Sequence, residues 1–194
     1  MTSIETLRVC PVSTTGRVVL AWVEAHPVVR RAAVAATVTS GALARSLPMP
    51  YAVRWSVALV GGVLALAALV DVREYKLPNR LLGSALVVVF VGVLSTTTAA
   101  LLISAVSGMV FAGGLMLVVR LTRGIGMGDV KMAAVVGAST GATAVVAAPL
   151  AITVAALVAV AYGRLARRER LPLGPALWAG WAISLAAFTA GWLS

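Results

Sequence analysis

Acidic side chains are scarce in this chain. Asp71 and Asp129 are the only aspartates, and Glu5, Glu24, Glu74 and Glu169 the only glutamates, among 194 residues. Cysteine is reduced to Cys10 and histidine to His26. A single cysteine excludes an internal disulfide framework and a cysteine-based zinc site, and a single histidine has no second imidazole with which to share an ion. No metal and no cofactor is therefore expected. Charged residues of either sign make up only 11% of the chain, so the polar surface that a soluble domain presents to water is missing.

What fills the space is apolar. No Asp, Glu, Lys or Arg occurs in 81–119, 132–163 or 171–194. About 20 apolar residues cross a bilayer core about 30 Å thick, so the first of these runs must turn back on itself and hold two helices. The expected fold class is all-α: a polytopic membrane protein of about six transmembrane helices, near 52–70, 80–96, 99–119, 127–141, 144–163 and 173–193. An Ala-, Val- and Thr-rich stretch at 31–48 is a candidate for a seventh span or for an interfacial amphipathic helix. The chain then divides into a 1–50 N-terminal segment with no assigned role and a 51–194 membrane domain. The start of the chain is polar, and Glu24, His26, Arg30 and Arg31 interrupt the first apolar residues, so no cleaved secretory signal is expected.

The formal net charge is +10, which in a soluble protein would point to nucleic acid. Its distribution points elsewhere. Lys and Arg gather at 73–80, 120–131 and 164–170, whereas the connections around 94–100 and 140–149 have none. Positively charged loops stay in the cytoplasm, so alternate connections of a multi-pass plasma-membrane protein are predicted to lie inside, with both aspartates at the cytoplasmic ends of their helices. Membrane lipids, not nucleic acid, are the partners this charge pattern implies.

Both aspartates border apolar runs. An aspartate at the centre of a membrane helix costs roughly 2.5–3.5 kcal/mol, so an acid beside the hydrocarbon marks a functional site by default. Asp71 opens a short polar interruption that closes on Leu77-Pro78-Asn79, where Pro78 stops the helix and Asn79 is suited to cap the next one, beginning at Arg80. The plain structural alternative for Asp71 is an ion pair with Arg73 or Lys76 that only ends a helix. Asp129 follows Gly124, Gly126 and Gly128, and glycines at alternate positions permit unusual dihedrals and the close approach of an extended chain. A third interruption, Pro172-Leu173-Gly174-Pro175, opens the last span. Its prolines prevent a regular helix start and leave backbone groups free to meet a substrate, though taken alone a plain helix-initiating turn with Pro at the first helical position is the simpler account.

Together these segments resemble the prepilin peptidase, or type IV leader peptidase, family of Gly-x-Gly-Asp intramembrane aspartyl proteases. The second motif reads Gly126-Met127-Gly128-Asp129 here, the first aspartate precedes a basic stretch and Leu77-Pro78, and the late Pro-x-Gly-Pro stretch is similar to Pro172-Leu173-Gly174-Pro175. The resemblance covers roughly 52 to the C-terminus. It implies catalytic Asp71 and Asp129, with Gly126, Gly128, Lys131, Pro172, Gly174 and Pro175 on the substrate. It also implies an aspartic endopeptidase that removes the basic leader of type IV prepilin-like proteins at the cytoplasmic membrane face. Many members carry paired Cys-x-x-Cys motifs and a methyltransferase activity near the N-terminus; with Cys10 alone, the resemblance here is to a short, protease-only form.

The chemistry so implied is acid–base hydrolysis by two carboxylates sharing one proton, with neither a covalent intermediate nor a metal. Two other readings stand beside it. In one, Asp71 and Asp129 bind a proton or cation in a small transporter subunit, which should show an inverted repeat; 52–119 and 127–193 show no such match. In the other, the chain is an inactive member of the peptidase fold.

Overall fold

The computed structural model describes residues 27–74, 79–123, 125–166 and 172–191. These form seven helices and no strand: α1 Pro27–Ser46, α2 Tyr51–Glu74, α3 Asn79–Leu94, α4 Ala99–Arg123, α5 Met127–Gly141, α6 Ala147–Ala166 and α7 Gly174–Thr189. Within them, Tyr51–Val72, Ala99–Thr122 and Ala147–Leu165 are long and apolar enough to cross a membrane, and α3 is a shorter apolar helix. The all-helical, polytopic membrane class expected from the sequence is what is found.

Two expectations are refined. The 31–48 stretch falls mostly within the 20-residue helix Pro27–Ser46, which packs on α2 and α7 and so belongs to the bundle. Three arginines lower its mean hydropathy, which is why it does not read as a clear span. The segment near 127–141 is a helix of 15 residues, about 22 Å long at 1.5 Å per residue, shorter than a bilayer core.

That short helix is the centre of the molecule. It touches α2, α3, α4, α6 and α7, and from Val135 to Gly141 every residue is buried. Its closest neighbour is α4, and the reason is side-chain size. Gly108 of α4 and Gly137 of α5 face each other so tightly that a Cβ on either would strike the other's backbone carbonyl, and Gly141 sits against Ser104 one turn away. Small residues four apart on both helices permit this approach, a common device where helices meet inside a membrane. The corner between α4 and α5 is closed by Arg120, whose Nη1 donates to the Ile125 carbonyl over 3.4 Å.

The last helix is pinned to the same centre. Trp181 of α7 is fully buried, and its indole Nε1 donates to the Ser139 hydroxyl of α5 at 3.0 Å. Nearby, Trp178 Nε1 donates to the Gly61 carbonyl of α2 at 3.3 Å. A buried indole needs a partner for its N–H, so these bonds fix the rotation of α7 about its axis. The connections alternate between two ends of the bundle. Glu74–Asn79, Arg123–Met127 and Ala166–Gly174 lie at one end, and Ser46–Tyr51, Leu94–Ala99 and Gly141–Ala147 at the other. Among the described residues, Arg80, Arg120, Lys131 and Arg164 fall toward the first of these.

Candidate active site

Asp71 lies in the last turn of α2 and is only 5% exposed. Its Oδ2 accepts a hydrogen bond from the backbone N–H of Gly174 at 2.9 Å. Gly174 is the first residue of α7, so this N–H is one of the donors that a helix start leaves without an intrahelical partner. Pro175, at the second position, has no N–H to offer, which leaves that of Gly174 as the donor facing Asp71. Gly174 must also be glycine for space. An added Cβ would stand 2.9 Å from Asp71 Oδ2 and 3.0 Å from the Ala68 Cα.

Asp129 lies at the same end of the bundle, half-buried in the first turn of α5 and outside the three membrane-length segments. The extended backbone of Gly126 precedes that helix as its N-cap, with φ −63° and ψ 147°, and the Asp129 carboxylate at the third helical position is turned back toward it, as the acid of a capping box is. A Cβ at Gly126 would come within 3.1 Å of Asp129 Oδ2, so glycine keeps this approach open. Burial, and after it the negative charge of Asp71, push the Asp129 carboxyl from its ordinary 3.8 up to about 6, against the opposing pull of the Gly126 hydrogen bond. The two carboxylates therefore feel each other, although 58 residues of chain separate them (129 − 71).

The other residues singled out in the sequence distribute unevenly about this pair. Gly128 falls within the first turn of α5, and neither it nor Gly126 takes a positive φ. The unusual dihedrals that glycine permits are not used at these two positions: Gly126 is ordinary extended backbone and Gly128 ordinary helix. Lys131 is exposed, and its Nζ donates to Asn79 Oδ1 at 3.0 Å, joining the starts of α3 and α5. Asn79 stands at the start of α3, and its side-chain oxygen accepts this bond. Pro172 and Pro175 are half-buried on either side of the Leu173-Gly174 start of α7. Lys76, Pro78 and Gly124 lie outside the described residues, as does the side chain of Arg73.

Two features were not singled out beforehand. One is the bond from Gly174 to Asp71, which turns the late Gly-Pro into a support for the first aspartate. The other is a groove of about 260 Å³ between α1, α2 and α7, opening beside Asp71 and lined by Ala35, Ala68, Val72, Pro175 and Trp178. A lining that is apolar except for Thr39 suits an apolar segment. No short-range pattern announces it, because its walls come from three separated helices.

No curated protein and no solved structure matches the chain. The family profile of the type IV leader peptidases matches residues 58–164, which include Asp71, Gly126, Gly128, Asp129 and Lys131 and stop short of Gly174. Since that stretch is more than half of the 194 residues, the chain belongs to the type IV leader peptidase family, a membrane-embedded peptidase.

Proposed function

We propose that the chain is an aspartic-type endopeptidase which cuts the basic leader from type IV prepilin-like or pseudopilin-like proteins at the cytoplasmic face of the plasma membrane. The observation that carries this reading is the convergence of the only two aspartates, Asp71 and Asp129, at the end of the bundle where the basic clusters gather.

The chemistry follows from the two environments. Two neighbouring carboxylates cannot both ionise freely, so between them they hold one proton. The ionised member takes a proton from a water, the water oxygen attacks the peptide carbonyl carbon, and the protonated member donates to the carbonyl oxygen. Collapse of the tetrahedral intermediate expels the amine, which takes up the remaining proton. The Gly174 N–H holds Asp71 in place through these steps. A scissile bond at the membrane surface suits a site at the bundle's end, where water is available. The substrate's apolar segment, which stays in the membrane, is seated in the groove beside Asp71, and Pro172 and Pro175 flank its route. Gly126 and Gly128, lacking side chains, leave room for the extended leader beside Asp129.

Co-expression with a prepilin-like substrate tests the reading by gel shift. Wild type should convert precursor to mature protein. Asp71→Asn and Asp129→Asn should each reduce conversion to background while still accumulating in the membrane, and Glu74→Gln should be mild. Substantial conversion by either Asn variant would remove the two-carboxylate mechanism.

A further inference from the structure

At the end of the bundle opposite the aspartates, α1 and α2 diverge around a cleft of about 670 Å³. Arg45, in the last turn of α1, and Arg54, in the first turn of α2, both line it. Arg54 is oriented by its own connection: its Nε donates to the Met49 carbonyl at 2.7 Å, which commits one of five guanidinium donors. Arg45 has no hydrogen-bond or ion-pair partner among the described residues. The described acidic side chains, Asp71 and Asp129, both lie at the other end. Arg54 and Asp71 are 17 residues apart on one helix (71 − 54), a rise of about 25 Å.

Topology gives these arginines no role. The other described basic side chains, Arg31, Arg80, Arg120, Lys131 and Arg164, lie toward the aspartate end, which the positive-inside bias makes cytoplasmic, so Arg45 and Arg54 stand on the side where that bias disfavours them. Two neighbouring cations without an acid repel each other and call for an anion from outside the chain. The walls of the cleft indicate its chemistry. Beside the arginines, Tyr51 and Trp55 pack edge to face with ring centroids 5.8 Å apart, both largely exposed, as aromatic side chains do at a membrane–water interface. Deeper along both helices the lining becomes purely apolar at Val38 and Ala58. Cationic rim, aromatic collar and apolar depth follow one another along the helix axes, in the same order as the parts of a phospholipid.

We propose that this cleft binds one anionic phospholipid, its phosphodiester held by Arg45 and Arg54 and an acyl chain laid against Val38 and Ala58. Planar guanidiniums bond phosphate oxygens in pairs, so two of them select an anionic headgroup over a zwitterionic one whose own ammonium competes for the phosphate.

The test uses the full chain, purified in detergent, titrated with phosphatidylglycerol, phosphatidylcholine or inorganic phosphate and read by native mass spectrometry and thermal unfolding. Phosphatidylglycerol should be retained and should raise the unfolding temperature, with phosphatidylcholine much weaker. Arg45→Gln with Arg54→Gln should weaken phosphatidylglycerol binding roughly tenfold or more, the loss expected for two charge-assisted contacts. Arg45→Lys with Arg54→Lys should restore part of it, and Arg164→Gln, at the other end of the bundle, should leave it unchanged. The exposed single variant Arg45→Gln gives the same reading should the double variant fold poorly. Equal binding of the two lipids would reduce the cleft to an apolar crevice, displacement of the lipid by millimolar phosphate would make it a simple anion site, and undiminished binding by the Gln variants would place the lipid elsewhere. Each of these results overturns the proposal.

Discussion

Gly174 donates its backbone N–H to Asp71 Oδ2 at 2.9 Å, across 103 residues of chain. One member of the carboxylate pair is thereby held by the start of the last helix, which lies outside the stretch that matches the peptidase family. The support is a backbone group, so the residue that supplies it is constrained by its lack of a side chain.

Gly174→Ala is expected to impair cleavage strongly while membrane levels stay near normal. The added methyl would meet Asp71 Oδ2 at 2.9 Å and Asp71 Cβ at 3.0 Å, and α7 must move to relieve it. Such a shift lengthens the bond that holds Asp71, and small misplacements of a reacting group cost on the order of 10²-fold in rate. Pro175→Ala leaves the N–H of Gly174 in place and should be milder. Comparison of single-turnover cleavage rates for the two variants decides the point, and equal rates would show that Asp71 does not depend on Gly174.

The pH dependence of stability isolates Asp129. Its carboxyl is raised from 3.8 to about 6, so between those values the folded state binds more protons than the unfolded chain. The sign follows directly: the contribution of this group is most favourable to folding below about pH 4 and is lost as pH rises through 6. Asp129→Asn, which stays neutral, should therefore gain in unfolding temperature relative to wild type as pH is raised from 4 to 7. Thermal unfolding in detergent at both pH values checks this, and a gain that shrinks with rising pH would mean that the ionised carboxylate is stabilised in the fold.

Lys131 carries three donors and spends one on Asn79 Oδ1. The remaining two can meet a carboxylate on the substrate, and prepilin-like substrates typically carry a glutamate shortly after the cut. Lys131→Gln should then raise KM more than it lowers kcat, and the defect should shrink with a substrate whose glutamate is replaced by glutamine. Asn79→Ala, which frees Lys131 without removing its charge, should be mild. An equal defect on both substrates would assign Lys131 to the strap between α3 and α5 alone.

Orientation in the membrane is tested by cysteine labelling. With Cys10 replaced, a cysteine at Thr97, in the connection after α3, should react with an impermeant reagent in intact cells, and one at Arg164, near the end of α6, should be protected. The reverse pattern would put the aspartates on the outer face.

Much of this architecture was legible because membrane helices are written as long apolar runs and their ends as charge. Asp71 and Asp129 stand out by rarity, and the clustering of Lys and Arg along the chain assigns both to one end of the bundle. The bond from Gly174 to Asp71 was illegible because a backbone donor has no sequence signature. In the same way, the side-chain pairing of Lys131 with Asn79 spans 52 residues and follows from packing, not from spacing. The Ala- and Thr-rich α1 was ambiguous for a physical reason: Arg30, Arg31 and Arg45 offset its apolar residues, and its place in the bundle depends on contacts with α2 and α7. Gly126 and Gly128 suggested freedom for unusual dihedrals, whereas the crowded position in this region is Gly174, where space is short and φ is not positive.

The glycine seam between α4 and α5 has a consequence for how the protein is made. With 15 residues and both Asp129 and Lys131 in its first two turns, α5 is too short and too polar at its start to partition into a bilayer efficiently by itself. Helix α4, with 25 residues, is synthesised just before it and is well able to insert alone. Because Gly108 and Gly137 let the two lie backbone to backbone, α5 can leave the translocation machinery as the second arm of a hairpin whose first arm is already in the lipid. On that route Asp129 is carried to the membrane edge by its neighbour's hydrophobicity, and biosynthesis delivers the acid together with the helix that shelters it.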